Sequence, residues 1–534
     1  MHRNLRRPGC LLLTGLALTV SVMAAEPDLR LVTAVREQNM PAVRAMLAEG
    51  VDVNVARADG ATALLLAAHW DAQDLVDLLL RAGAKVNAAE EQGTTPLALA
   101  CENASPTMVA KLLASGANPN LSQTNGVVPL MTAARTGHLK VVQTLLAHGA
   151  GVNAVIPATG QTALMWATAE RHLDIMRELI AAGANVRAQS KIGFTPLLFA
   201  TSNGDIEAAR ELIAAGARVN DRGSDGTHAL PLAIVSGHDA FALFLLEQGA
   251  DANGTMHGVS ALHAAVGNVD VWLRDWLRER RASIFARTTS GMEPSRRVDM
   301  VKALLAHGAD PNARIATSTI MGLGVSGRNG AFETYSVGTG DLKGATPLWI
   351  AAYIANSPGS GGTRPPGSGR NYSVEIVRLL LEVGADASLT TGDLTTPLMV
   401  AAGLGRSSYQ PGVQRGTPSP SAEAAVKMLV EAGADVNAVN EASFTALHGA
   451  AFRGLNEVLQ YLVDHGAHIN DRDFRGRTAY RIAEGAQQAF RVQKWPETAE
   501  FLKTLGADAT LGVDVIVTER EPEASKGTEP GLRR

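Results

Sequence analysis

The sequence predicts a mostly α-helical solenoid of stacked helix pairs, and three observations lead to it. A unit of about 33 residues recurs: its openings at Thr62, Thr95, Val128, Thr162, Thr195, His228 and Ser260 lie 33, 33, 34, 33, 33 and 32 residues apart. Each unit closes alike, at Gly83-Ala84, Gly116-Ala117, Gly149-Ala150, Gly183-Ala184, Gly216-Ala217 and Gly249-Ala250. Aromatic residues make up only 4% of the chain while alanine and leucine abound, which suits thin helices in close contact. A two-helix unit this small cannot bury its apolar face alone, so it stacks on a neighbour of its own kind.

The stretch from Gly193 to Asn220 shows how one unit is built. Thr195 is placed as an N-cap, and Pro196 takes the first helical position, where its missing N–H costs nothing. Leu197, Leu198 and Ala200 open an apolar helical face that Gly204 ends; Ile206, Ala209, Leu212 and Ile213 then predict a second helix. Gly216 sits where a left-handed residue closes that helix, and Asn220 begins a polar turn into the next copy.

Taken in order, residues 1–25 read as a signal peptide. Arg3, Arg6 and Arg7 precede the apolar run Leu11 to Val22, and small residues follow it. Its 12 residues fall short of the roughly 20 that span a bilayer, so no stable membrane span is expected after cleavage. The expected location is the bacterial periplasm or the outside of the cell. Loss of the three arginines leaves 45 basic residues against 52 acidic ones, a net charge of -7, which gives no electrostatic footing for nucleic acid. Cys101 is then the one cysteine left, which excludes an internal disulfide or a thiolate metal cluster. It stands where other units carry small core residues such as Ala68 and Ala134, so a buried thiol is expected.

Residues 26–59 read as an N-terminal capping repeat and 60–257 as regular repeats. Residues 258–440 hold repeats with long insertions, 441–511 the C-terminal repeats and cap, and 512–534 a disordered tail. The insertions show as breaks in the rhythm. The opening residue and the closing glycine are ordinarily 21 apart, but Ser260 to Gly308 spans 48, Thr346 to Gly384 spans 38 and Thr396 to Gly433 spans 37. These excesses fall between the two helices of a unit, because Val298 to Leu305, Val374 to Leu381 and Ala424 to Val430 still read as second helices. A fourth insertion lies between units, from Gly308 to Thr346. Within the first, Val271 to Arg281 has apolar residues at helical spacing and predicts an extra amphipathic helix. Gly322 to Gly327 spells the dinucleotide-binding glycine pattern, but no strand leads in and no apolar helix follows, so a loop is expected there.

Gly93-Thr94-Thr95-Pro96-Leu97, Thr136-Gly137-His138, His148-Gly149-Ala150, Ala261-Leu262-His263 and Ala446-Leu447-His448 are the motifs of a known family, and over most of its length the chain resembles the ankyrin repeat. The resemblance implies about twelve units of antiparallel helix pairs with short β-hairpin fingers, forming a curved solenoid that binds other proteins. It places the concave face on the fingers and first helices, and carries the contact positions onto His69, Trp70, Glu102, Asn103, Arg135, Glu170, Phe194, Tyr353, Phe444, Phe452 and Arg453. Aromatic and arginine side chains are the ones that anchor interfaces. It also gives structural roles to His138, His148, His238, His263, His307, His448 and His465.

The function expected is therefore that of a scaffold with an unidentified protein partner, acting as a monomer without catalytic residues, cofactor or metal. The alternative is an enzyme or small-ligand binder whose pocket forms where the insertions of residues 270–420 meet.

Overall fold

In a computed structural model of the chain, residues 28–267, 294–317, 341–356, 371–404, 419–485 and 495–511 are described, together with positions 269, 273 and 292. The expected signal peptide, the glycine pattern at 322–327, the tail, and all of the expected helix at 271–281 except buried Leu273 lie outside these residues. The described residues fall into two compact bodies, one ending at Gly151 and the other starting at Val152.

The first body holds the helix pairs Arg30–Arg36 with Met40–Ala48, Ala63–His69 with Gln73–Arg81, Pro96–Glu102 with Pro106–Ala114, and Pro129–Thr136 with Leu139–Ala147. First helix packs on first helix down the row, and the core between them is thin, filled by Ala67, Ala68, Ala100, Cys101, Ala133 and Ala134. Leu75, Val76 and Leu79 of the second pair, and Val109 and Leu112 of the third, supply the larger buried side chains. Fully burying such a residue contributes about 1.5–3 kcal/mol.

In the second body the pattern runs from Ala163–Ala169 to Pro496–Thr504. The unit read from sequence forms as expected. The Thr195 hydroxyl accepts the Leu198 N–H at 3.3 Å, Pro196 begins the helix Pro196–Asn203, and Gly204 ends it in the left-handed region at φ 65°. A β-carbon on Gly204 would lie 2.6 Å from the His238 ring, so both backbone angle and space demand glycine there. The second helices of the interrupted units also form, at Pro294–Ala306, Asn371–Glu382 and Pro420–Glu431. All three begin a few residues earlier than the apolar spacing indicated. First helices Ala261–Val266, Pro347–Ala355, Pro397–Ala402 and Ala446–Arg453 pack successively on one another, so the insertions leave the stacking unbroken.

The turn asparagines explain part of that continuity. Asn220 donates from Nδ2 to the Gly249 carbonyl at 3.0 Å and accepts the Asp251 N–H at 2.8 Å, joining one unit to the next. Asn54, Asn87 and Asn120 do the same in the first body. Asn253 and Asn312 reach across the insertions in the same way, to Gly308 and Asp310 and to Gly384 and Asp386. Where Arg187 replaces asparagine, an ion pair to Asp221 at 2.6 Å takes over.

The fingers differ from the expectation of hairpins. Among the described residues the named strands are Thr255–Met256 and Val259–Ser260, an antiparallel pair, with one further bridge between Ala56 and Thr62. Side chains help to close the turns: Asp59, Asn125, Asp225 and Asp473 accept the N–H of the residue two positions on. One backbone bond also crosses each of these turns, from the Arg57, Gln123, Gly223 and Asp473 N–H groups to the Ala61, Val127, Thr227 and Arg477 carbonyls, while the side chain occupies a donor that a longer ladder would use.

Candidate protein-binding face

In the uninterrupted units a single left-handed residue separates the first helix from the second, so the two or three residues at each first-helix end are the ones presented outward. In the first body His69 and Trp70 end the helix Ala63–His69, and Asp71 follows at φ 51°. Trp70 is 52% exposed, its ring meeting the His69 imidazole edge-on with centroids 4.8 Å apart. Among the described residues it is the one phenylalanine, tryptophan or tyrosine that is exposed. Glu102, Asn103 and Arg135 are exposed at the equivalent helix ends of the next two units.

Asn103 is less available than its exposure suggests. Its Nδ2 donates to the carbonyls of Ala68 at 3.1 Å and His69 at 2.8 Å, satisfying two acceptors left open at the end of the preceding helix. Asn203 caps Thr168 and Ala169 identically in the second body, beside exposed Glu170. Asn103 is thus a stacking residue as well as a surface one.

Five of the positions carried over from the resemblance sit wholly or partly inside. Phe194 and Phe444 are fully buried and Phe452 is 8% exposed, so these three are corrected from contact residues to packing residues. Phe194 packs edge-on against Phe199 at 5.6 Å; Phe444 lies 6.0 Å from Phe452, 6.1 Å from Phe474 and 5.7 Å from His448. For Phe194 and Phe444 the physical reason is the turn: the residue just before the N-cap points under the finger. At none of the equivalent positions, Ala61, Thr94, Val127, Gln161, Thr227, Val259, Ala345, Thr395 and Arg477, is the residue exposed. The recurrence of small and apolar types there is the sequence signal that identifies the position as interior. Tyr353 is half-buried, stacked on Trp349 with 5.4 Å between centroids and 11° between planes, and Arg453 is half-buried next to Phe452.

Two histidines that the sequence marks as structural are the most deeply held. His263 accepts the Ser260 N–H at Nδ1, 3.3 Å away, and Nε2–H donates to the Ala345 carbonyl of the next unit at 3.0 Å. Burial lowers its pKa to about 4. His448 repeats the arrangement with Thr445 and the Arg477 carbonyl and is shifted down for the same reason. His148, His307 and His465 each donate from Nδ1 to a carbonyl four residues back, and His238 from Nε2 to Ser202. Burial also drives the Cys101 thiol well above its usual range, which keeps it a packing group. Among the described residues no trio of His, Cys, Asp or Glu is placed to hold a metal ion, and no helix is long and apolar enough to cross a membrane.

Stacked, mutually capped helix pairs of fixed period define a helical-repeat protein. The family model described as ankyrin repeats in three copies matches residues 31–123, 105–190 and 182–256, and the one described as ankyrin repeats in many copies matches 429–483. Together they span just over half of the sequence, and the chain belongs to the ankyrin-repeat family. It is 34% identical over 137 residues to the Homo sapiens ankyrin repeat and SOCS box protein 16, a match covering 25% of this chain and 27% of that one, so it spans about a quarter of that relative's length. Among solved structures, the human ASB11 ankyrin repeat domain is 28% identical, with 41% of this chain and 96% of that chain covered at a TM-score of 0.37. The ankyrin repeat domain of Bcl-3, of the IkappaB protein family, is 29% identical, with 42% and 100% covered at a TM-score of 0.38. Ankyrin repeats generally mediate protein–protein interaction.

Proposed function

We propose that this chain is a non-catalytic scaffold that binds a protein partner through the fingers and first-helix ends, the face that is concave in the family. The observation that carries this reading is Trp70, a large aromatic left half in solvent in a chain otherwise sparing with aromatic residues. Exposed tryptophan is costly to leave in water and anchors interfaces when covered. The pre-formed helix ends lose little conformational freedom on binding, which favours recognition by a fixed surface. Phe194, Phe444 and Phe452 take no part; the contacts are Trp70 with His69, Glu102 and Arg135, all in the first body. Affinity capture from an envelope fraction tests the reading. Trp70→Ala is expected to weaken partner binding about 30-fold or more, roughly 2 kcal/mol, with unfolding unchanged within about 0.5 kcal/mol. Partner capture equal to the unsubstituted chain rejects Trp70 as the anchor.

The scaffold acts outside the cytoplasm, in the periplasm or beyond, because residues 1–25 carry the charge, apolar run and small-residue end of a secretory leader. N-terminal sequencing of the exported chain is expected to begin at Ala25 or Glu26, and an intact Met1 rejects export by this route.

A further inference from the structure

Asparagine followed by glycine is open to a spontaneous change. The glycine nitrogen, unhindered by a β-carbon on its own residue, loses its proton and attacks the asparagine side-chain carbon; a cyclic imide forms and ammonia leaves. Water then opens the ring at either carbonyl, giving aspartate or, with the side chain taken into the main chain, isoaspartate. Three such steps fall among the described residues, Asn125-Gly126, Asn203-Gly204 and Asn253-Gly254; a fourth, Asn329-Gly330, lies outside them. The Gly126 N–H donates to the Gln123 carbonyl at 2.8 Å, Gly204 to Thr201 at 3.1 Å and Gly254 to Asp251 at 2.9 Å, so the attacking nitrogen does not distinguish the three. The asparagine side chains do.

The group that must leave is the amide nitrogen, and in two of the three it is engaged by another unit. Asn203 Nδ2 donates to the Thr168 and Ala169 carbonyls of the preceding unit at 3.2 and 2.9 Å. Asn253 Nδ2 donates to the Gly308 carbonyl of the following unit at 3.0 Å, and its Oδ1 is held by the Asp310 N–H at 2.8 Å. Cyclisation at either breaks bonds that join units, so it waits on local opening. Asn125 is exposed, and among the described residues its side chain bonds within its own finger, from Nδ2 to Gln123 Oε1 at 3.4 Å and on Oδ1 from the Val127 N–H at 2.9 Å. That second bond favours the reaction, because the Val127 N–H is aimed at the oxygen on which negative charge grows during attack. We propose that Asn125 is a modification site: it cyclises on Gly126 in the folded chain, with water as the co-reactant that opens the imide, while the bonds between units keep Asn203 and Asn253 as asparagine. The product alters the finger. Isoaspartate lengthens the main chain inside the turn that the Gln123 N–H closes on the Val127 carbonyl at 2.9 Å, and it adds a negative charge beside Thr124, whose N–H joins this finger to the Gln92 carbonyl of the one before.

The test incubates the full chain at mildly alkaline pH, one portion folded and one unfolded in urea, and follows amide-to-acid conversion at each asparagine by peptide mapping. Methylation by a purified isoaspartyl methyltransferase distinguishes isoaspartate from aspartate. In urea the three steps are alike in sequence and are expected to convert at similar rates. In the folded chain Asn125 is expected to stay within about threefold of its urea rate and to yield isoaspartate, while Asn203 and Asn253 fall at least about tenfold below theirs. Asn203 or Asn253 converting as fast as Asn125 in the folded chain overturns the proposal, and so does an Asn125 slowed by folding as much as the other two.

Discussion

Phe444→Ala is expected to destabilise the second body by about 3–5 kcal/mol, read as a lowered urea midpoint for that body. The size follows from its surroundings: the ring has 0% exposure and stands among Phe452, Phe474 and His448, so truncation leaves a cavity between units as well as losing transfer energy. The dispersion attraction forfeited around the cavity is not regained, because the neighbouring rings are held elsewhere. Phe452 is tied through its carbonyl to Trp495 Nε1 at 3.0 Å, and the Arg477 guanidinium sits 5.7 Å above its ring. Trp70→Ala is the informative contrast. One substitution is expected to cost folding, the other binding, and a Phe444→Ala chain of unchanged stability contradicts the interior placement of this residue.

Acid is expected to weaken the fold through His263. Its folded pKa of about 4 lies below the ordinary value of 6.5, so the unfolded chain takes up the proton first. The contribution is present above pH 6.5 and is lost as pH falls toward 4, with about 3 kcal/mol at stake. Burial is the main cause, and geometry agrees: a proton on Nδ1 would turn two donors, that proton and the Ser260 N–H, against each other. His448 acts in the same direction. Asp393, whose carboxyl burial raises to about 6, works oppositely in an overlapping window, so the measurement is the difference between wild type and His263→Gln. The wild-type chain should lose stability between pH 6.5 and 4 more steeply than the variant; parallel profiles refute the assignment.

The sequence reveals the helix pairs because their signals are local. Thr195 and Pro196 start a helix and Gly204 stops it whatever lies elsewhere, and second helices stay recognisable beyond each insertion because apolar spacing survives there. What escapes is whatever depends on a distant partner. Trp349 Nε1 donates to Thr395, 46 residues on, and His263 reaches Ala345, 82 residues on; neither separation follows from a 33-residue rhythm. The candidate face divides on the same line. Trp70 and Glu102 lie on the outward side of a helix end and are exposed as a helical register implies, whereas the orientation of Phe194 and Phe444 is set by the finger turn that precedes the cap. The scarcity of strands has a similar origin, since the aspartates and asparagines that mark the turns also take up N–H groups that a hairpin ladder would use.

The asparagine bridge makes chain length between units almost free to vary. Asn220 and Gly249 are 29 residues apart, Asn253 and Gly308 are 55, and Asn312 and Gly384 are 72, yet all three make the same bond at 3.0–3.2 Å. Loop-closure entropy grows only with the logarithm of length, so passing from the shortest span to the longest adds about 0.8 kcal/mol, comparable to the net worth of a single hydrogen bond. New peptide can therefore be accepted between two rungs with the frame unchanged. The units following Ser260 behave as docking stations for added sequence, and foreign segments grafted there should be carried as passengers by a ladder that already tolerates three lengths of rail.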